Sequence, residues 1–499
     1  MFPYKTSISF DRKNKQPLYL QLSKQIIELI KTNRLPSKTK LPGSRTLSEL
    51  LGVHRKTIVA CYEELLLQGW TESVPQKGTF VHSSLPELQQ QDYINTLKNV
   101  SKQKVGFEFY KNEHLRKNFA APSEKYMSIN DGVSDGRLAP INEIARIYRR
   151  LTSKKEAYKH LAYGSVYGNE KLRVVLATYL NKTRGLHICK DNILITRGSQ
   201  NGIYISSQLL LKEDDVVIVG ATNYIAADTT FQNQGSKILR VSVDENGLNT
   251  NEIEQLCEKL IVKAVYVTSH HHHPTTVTLS AERRIHLLNL AKKYHFAIIE
   301  DDYDYDFNYN HSPILPLASH DTNGNVIYIG SVCKTVAPVF RVGYLIASKE
   351  FVDEAAAYRK IVDRQGDALL ELTFAEFVEN GDLDRHIKKV LKVYKTRRDL
   401  MCSLLKVELS DYFEFKIPKG GMAIWLKLNK KYSWKVVSEF ALKHELIIGD
   451  WARYDPQKTK HNAIRLGFAA YNEEETMQLI QKLTLTFKEY NLEKSSRIF

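Results

Sequence analysis

Apolar residues recur at helical spacing near the start of the chain, at Leu18, Leu22, Ile26, Leu29 and Ile30. They predict an amphipathic helix from about Pro17 to Lys31, with Pro17 suited to its first turn. After the turn Pro42-Gly43, the segment Ser44-Arg45-Thr46-Leu47-Ser48-Glu49-Leu50-Leu51 reads as a short helix capped by Ser44 and closed at Gly52. A further helix begins near His54 and carries Ile58, Cys61, Tyr62, Leu65 and Leu66 on its apolar side, with Cys61, Tyr62 and Leu65 as core. Short helix, glycine turn and second helix make a helix-turn-helix pattern. In that geometry the leading residues His54, Arg55, Lys56 and Thr57 face the major groove of DNA. Thr71–Val74 and Thr79–Val81 flank Pro75-Gln76-Lys77-Gly78 as a hairpin with a basic tip.

Residues 83–124 show little periodicity and include Gln89-Gln90-Gln91, so they read as a tether, partly ordered near Val105-Gly106-Phe107. From about Met127 the pattern alternates. Apolar runs at Ile193-Thr196, Val216-Val219, Ala264-Thr268, Ala297-Glu300, Val326-Gly330 and Val342-Ala347 are separated by helical segments such as Ala281–His295. Such alternation predicts an α/β body around a mostly parallel sheet. The division is thus 1–82, 83–124 and 125–499.

Charge sharpens this division. Residues 1–81 hold 13 Lys+Arg against 6 Asp+Glu, close to half of the net +15 of the 499-residue chain. A basic N-terminal module points to a double-stranded DNA partner. Five scattered cysteines show neither metal spacing nor a disulfide framework, which fits a reducing cytoplasm. No run of about 18 apolar residues suggests a membrane span, and the first residues lack a signal-peptide core.

The candidate chemistry lies where the predicted strands end. Asp301 follows one run, Ser331 and Lys334 follow another, and Arg341 comes shortly after. In open α/β sheets ligands bind at the carboxyl ends of the strands. A lysine, an acid and an arginine there fit pyridoxal 5′-phosphate, with the lysine as Schiff-base former, the acid opposite the pyridine nitrogen and the arginine on the phosphate. Gly198-Ser199-Gln200-Asn201 follows a strand and opens a helix, so its amides suit the same phosphate. Tyr224 is placed to stack on the pyridine ring and Tyr303 to bond its phenolic oxygen. Arg465 interrupts an apolar run and needs a partner; a ligand carboxylate and a structural ion pair both satisfy that need.

Two resemblances add to this reading. Pro17-Leu18-Tyr19, Leu41-Pro42-Gly43-Ser44-Arg45, Leu51-Gly52-Val53 and Gly78-Thr79-Phe80-Val81 resemble the winged helix-turn-helix domain of GntR regulators. That resemblance implies phosphate contacts by Arg45, Arg55, Lys56 and Lys77, with Arg55, Lys56 and Thr57 nearest the bases. Residues from about 125 onward resemble a fold-type I aminotransferase domain with a small C-terminal α+β subdomain. The matching motifs are Tyr163-Gly164, Gly198-Ser199-Gln200, Glu300-Asp301-Asp302-Tyr303-Asp304, Lys334 with Arg341, Gly420-Gly421-Met422 and Ile464-Arg465-Leu466-Gly467. Together the two halves are similar to the MocR/GabR family of transcriptional regulators. The resemblance implies Lys334 as Schiff-base lysine, Asp301 and Tyr303 as partners of the cofactor ring, and Ser199, Gln200, Ser331 and Arg341 on its phosphate. It implies Arg465 on an effector carboxylate, Tyr163 reaching toward a partner subunit's phosphate, and a head-to-tail homodimer.

The chain departs from the family pattern at several points. Ala226 stands where some amino-acid-sensing members carry an arginine, Cys333 replaces the serine before the lysine, and Pro274-Thr275-Thr276 lacks the usual glycine. His270-His271-His272-His273 offers zinc-ligating atoms. Consecutive residues at a strand end point in alternating directions, however, and the reading taken is that one or two line the cofactor pocket, with no metal. Three functions remain open: a regulator sensing pyridoxal phosphate or an amino compound, a working aminotransferase with a DNA-binding head, and a body retained only for dimerisation.

Overall fold

The computed structural model describes residues 2–85, 105–112, 115, 126–309, 314–332, 334–449, 451–454 and 461–496. Most of the predicted tether, including the three glutamines, and Cys333 lie outside the described residues. Residues 105–112 of the tether form no helix or strand. The chain divides into two compact units, Met1–Lys111 and Asn112–Phe499.

In the first unit the helices Leu18–Lys31, Ser44–Leu51 and Arg55–Leu67 precede the antiparallel strands Thr71–Val74 and Gly78–Val81. Leu22, Ile26, Leu47, Ile58, Cys61 and Leu65 form its core, all fully buried. Tyr62 is half-buried and donates its hydroxyl proton to the Pro42 carbonyl at 2.7 Å. Gly52 ends the middle helix in the left-handed region, φ +63°, where a side chain would be strained. One cap differs from expectation. Ser44 is the first residue of its helix, after Gly43 in extended backbone, and no side chain caps that end. Its hydroxyl instead accepts from Arg55 Nε at 3.3 Å, so a tertiary contact outcompeted the local cap. His54 precedes the next helix and caps it, its Nδ1 accepting from the Lys56 amide at 3.2 Å.

The second unit is built on a seven-stranded sheet. Its spatial order is Ile193–Thr196, Gly343–Ile346, Val326–Ser331, Ala297–Asp302, Val262–Val267, Val216–Gly220 and Lys237–Val241. The strands run parallel except Gly343–Ile346, which is antiparallel to both neighbours. Sequence reasoning did not mark the edge strand Lys237–Val241. Both faces of the sheet are covered by apolar side chains, which is why its central strands read as unbroken apolar runs. Two strands are longer than their apolar runs. Asp301 and Ser331 lie inside strands, Asp301 opposite Ile329 and Ser331 opposite Gly343, rather than past their ends.

A C-terminal lobe pairs Phe413–Glu414, Ala423–Leu428 and Ala463–Gly467 antiparallel and packs them with the helices Asp382–Glu408, Trp434–Lys443 and Glu473–Ser496. Residues 127–130 are stitched to this lobe. Met127–Ser128 pairs with Leu446–Ile447, and the Gly467 amide donates to the Asn130 carbonyl at 2.7 Å. That stitching delivers Asp131 and Gly132 to the ends of the central strands. No helix among the described residues is long and apolar enough to cross a membrane.

Candidate functional site

The strand Ala297–Asp302 and the turn after Val326–Ser331 bring Asp301, Tyr303 and Lys334 together. Lys334 Nζ stands 4.6 Å over the Tyr303 ring and donates to the Gly132 carbonyl at 3.3 Å. Burial pushes its ammonium below the ordinary lysine range, against the pull of Asp131, Asp304 and Asp301. Asp301 is buried, and its Oδ2 accepts from the Tyr266 hydroxyl at 2.8 Å. Its Oδ1 has no hydrogen-bond partner among the described residues. Burial, reinforced by the charge of Asp302, pushes this carboxyl up to about 7. A buried acceptor left open is costly unless a ligand donor completes it. Tyr224 is half-buried, and its ring meets His273 edge-on at 5.3 Å. Burial and the nearby Asp301 push its hydroxyl up to about 12.

An anion cradle lies at the other end of the site. Gly198, φ +76°, precedes the helix Ser199–Leu210, whose first amides have no partner within the helix. A Cβ at Gly198 would fall 2.8 Å from Arg341 Nη2, so the missing side chain is what lets that guanidinium lie over the helix start. Arg341 is exposed and donates to the Arg197 carbonyl at 2.8 Å. Ser199 is half-buried at the helix start, and Ser331 Oγ donates to the Val342 carbonyl at 3.3 Å. Gln200 stands in the first turn of the same helix. Its amide donates to Thr230 Oγ1 at 2.8 Å, which leaves its backbone N–H as its contribution to the cradle.

Arg465 is 1% exposed. Its Nε donates to the Asp131 carbonyl at 2.7 Å, Nη1 to the Pro274 carbonyl at 3.1 Å and Nη2 to the Tyr303 hydroxyl at 3.2 Å. All three acceptors are neutral, and among the described residues no carboxylate lies within ion-pair distance of it. The Tyr303 hydroxyl in turn donates to the His271 carbonyl at 3.0 Å. Tyr163 is 82% exposed with Arg364 over its ring at 5.2 Å, and is not part of the pocket lining within its own chain.

The four histidines are all buried and diverge. His270 Nδ1 pairs with Asp302 Oδ1 at 3.0 Å and His271 Nδ1 with Asp304 Oδ1 at 2.9 Å, while His272 Nδ1 meets Thr275 Oγ1 at 3.0 Å. His273 faces the pocket, 3.8 Å from Asp131 Oδ2, and burial pushes it down to about 4. No group of His, Cys, Asp and Glu among the described residues is arranged to hold a metal ion. Sequence reasoning missed Tyr266, Asp131 and Arg453. Tyr266 had a usable signal, as a hydroxyl in an apolar run one strand over from Asp301. Asp131 had none, since no strand or helix pattern leads to it.

In the first unit Arg45, Arg55, Lys56 and Lys77 are exposed and Thr57 is half-buried. Among the described residues none of the four basic side chains is paired with a carboxylate. The start of the helix Arg55–Leu67 and the hairpin tip thus present these basic side chains to solvent.

Comparison with known proteins agrees with both halves. The model for aminotransferase class I and II matches residues 127–483, and that for bacterial regulatory proteins of the gntR family matches residues 18–81. The "Uncharacterized HTH-type transcriptional regulator YdfD" of Bacillus subtilis is 27% identical over 96% of this chain and 98% of its own. A protein of Rhizobium meliloti named "Probable rhizopine catabolism regulatory protein MocR" is 25% identical over 84% of this chain and 83% of its own. The crystal structure of the multiple substrate aminotransferase from Thermococcus profundus superposes with a TM-score of 0.70 at 27% identity, covering 76% of this chain and 97% of that one. The fold is therefore that of an aminotransferase joined to a winged helix-turn-helix head. The chain belongs to the aminotransferase class I and II family and carries a GntR-type DNA-binding domain, the fusion found in MocR/GabR-type regulators.

Proposed function

We propose that the chain is a DNA-binding transcriptional regulator whose body holds pyridoxal 5′-phosphate and senses that cofactor or an amino compound presented to it. The carrying observation is the convergence of Lys334, the open Oδ1 of Asp301 and the carboxylate-free Arg465 in one buried pocket. The donor set fits the cofactor. Asp301 Oδ1 matches a pyridinium N–H, and the Gly198 cradle with Arg341, Ser199, Gln200 N–H and Ser331 matches a phosphate. When bound, the cofactor supplies an aldehyde with which an amine condenses. Lys334, its ammonium pKa lowered by burial, provides that amine in the resting protein. Tyr224 covers a ring face, Tyr303 orients Arg465, and Arg465 receives the carboxylate of the effector.

In this reading Arg55, Lys56 and Thr57 face the bases of a double-stranded operator, and Arg45 and Lys77 hold its phosphates. Two chains pair head-to-tail, with Tyr163 reaching the partner's phosphate. The exposed apolar residues Ile141, Val339 and Tyr163 support a surface that a second copy covers. A reducing cytoplasm is the compartment this role requires. A ligand controls the operator only through different affinities for two arrangements of the molecule. The test is fluorescence anisotropy on a duplex selected from random sequence, with and without pyridoxal phosphate and mixed amino acids. Operator affinity indifferent to all of them would refute sensing. The same lysine, acid and arginine also suffice for transamination, so conversion of the bound cofactor to its pyridoxamine form would favour an enzyme carrying a DNA-binding head.

A further inference from the structure

Asp131 and Arg453 form an ion pair that none of these roles uses. Asp131 Oδ2 lies 3.2 Å from Arg453 Nη2 and 3.8 Å from His273 Nε2, and the two paired side chains are 32% and 31% exposed. The pair therefore sits nearer solvent than Arg465 or His273 and marks the open side of the pocket.

Its two members are not equally fixed. The Asp131 carbonyl accepts from Arg465 Nε at 2.7 Å, and the next carbonyl, of Gly132, accepts from Lys334 Nζ at 3.3 Å. The Gly132 amide donates to Asn130 Oδ1 at 3.0 Å. A short side chain on a backbone held this way cannot withdraw without disturbing both cations. Arg453 stands on the four-residue turn Trp451–Tyr454 and also bonds the Tyr454 hydroxyl. Its guanidinium lies over the Tyr454 ring at 4.6 Å at the end of a long stem, and a partly exposed ion pair of this kind is weak. The fixed member sets the sign of the subsite, and that member is an anion. His273, Lys334 and Arg453 more than offset burial and hold the Asp131 carboxyl below its ordinary range.

Because the Asp131 and Gly132 carbonyls hold Arg465 and Lys334, a ligand that bridges those two cations lies beside Asp131. A distal carboxylate meets a fixed like charge there, whereas a distal ammonium takes the place of Arg453. We propose that Asp131 is the specificity-determining residue of this pocket and selects an amino acid with a second, distal amine over a dicarboxylic one. This rests on the roles given to Lys334 and Arg465 under the proposed function.

The test titrates the full-length, cofactor-loaded protein with ornithine, lysine, alanine and glutamate, following visible absorption and the ligand-induced shift in unfolding temperature. Ornithine or lysine should bind at least about tenfold more tightly than glutamate, a difference of about 1.4 kcal/mol. Asp131→Asn should erase that preference, and Arg453→Gln should strengthen binding of the dibasic ligands severalfold by removing their competitor. Glutamate binding as tightly as ornithine, or a preference unchanged in Asp131→Asn, overturns the proposal. If Asp131→Asn does not fold, Arg453→Gln decides, and weakened dibasic binding there overturns it. Loss of cofactor uptake, or no response to any amine, would instead sink the reading of Lys334 and Arg465, and the selectivity with it.

Discussion

Replacing Asp301 with asparagine should stabilise the cofactor-free protein at alkaline pH while weakening its hold on pyridoxal phosphate. The Asp301 carboxyl titrates near 7 in the folded chain against 3.8 unexposed to that environment. Each unit corresponds to about 1.4 kcal/mol, so the buried carboxylate costs the folded state about 4 kcal/mol once fully ionised. The sign follows from proton uptake. Between about pH 4 and pH 7 the folded state binds the proton that the unfolded state has released, so stability falls as pH rises through that window and levels off above it. Asparagine cannot ionise, but its amide would stand where Oδ1 lacks a partner, at a cost of about 1–3 kcal/mol. The protonated acid pays a similar cost at low pH, so the variant and the wild type should melt alike below about pH 4. Near about pH 8 the variant should be more stable by about 4 kcal/mol, a rise of several degrees for a body of this size. Differential scanning fluorimetry of both proteins across that range reads the difference, and absorption titration reads the loss of cofactor affinity. A melting difference independent of pH, or a wild type more stable at the alkaline end, would refute the assignment of Asp301 as a raised, uncompensated acid.

Lys334→Ala should leave the fold intact and abolish borohydride-fixed pyridoxyl label; label remaining on the chain by mass spectrometry would remove Lys334 from its role. Arg55→Ala should weaken operator binding and lower the slope of log affinity against log salt by about one, whereas an unchanged slope would take Arg55 off the phosphates. Thr276 holds φ +64°, a left-handed conformation that costs a β-branched residue about 1–2 kcal/mol. Thr276→Gly relieves it at an entropic cost of about 0.5–1 kcal/mol, so the unfolding temperature should rise slightly, and a fall would mean that the threonine side chain packs to advantage.

What the sequence determined by itself is what neighbouring residues dictate. Apolar periodicity located the head helices and six strands, Gly52 marked the helix-turn-helix corner, and the strand-to-loop transitions carried Lys334, Asp301 and Arg341. These features are legible because backbone preference and burial pattern act over a few positions. Even there, neighbours did not fix every detail. Ser44 gave up its cap to hold Arg55, and Asp301 was drawn into a strand by pairing with Ile329. Only the tertiary structure decided which groups surround the lysine. Asp131 and Arg453 stand 322 positions apart, and Tyr266 reaches Asp301 across 35. Their meeting depends on the stitching of residues 127–130 to the C-terminal lobe and on the register between strands, neither of which leaves a periodic trace. Whether a buried charge is paired, open or aimed at a ligand depends on distances of a few ångströms between such remote segments, and those distances are set by packing.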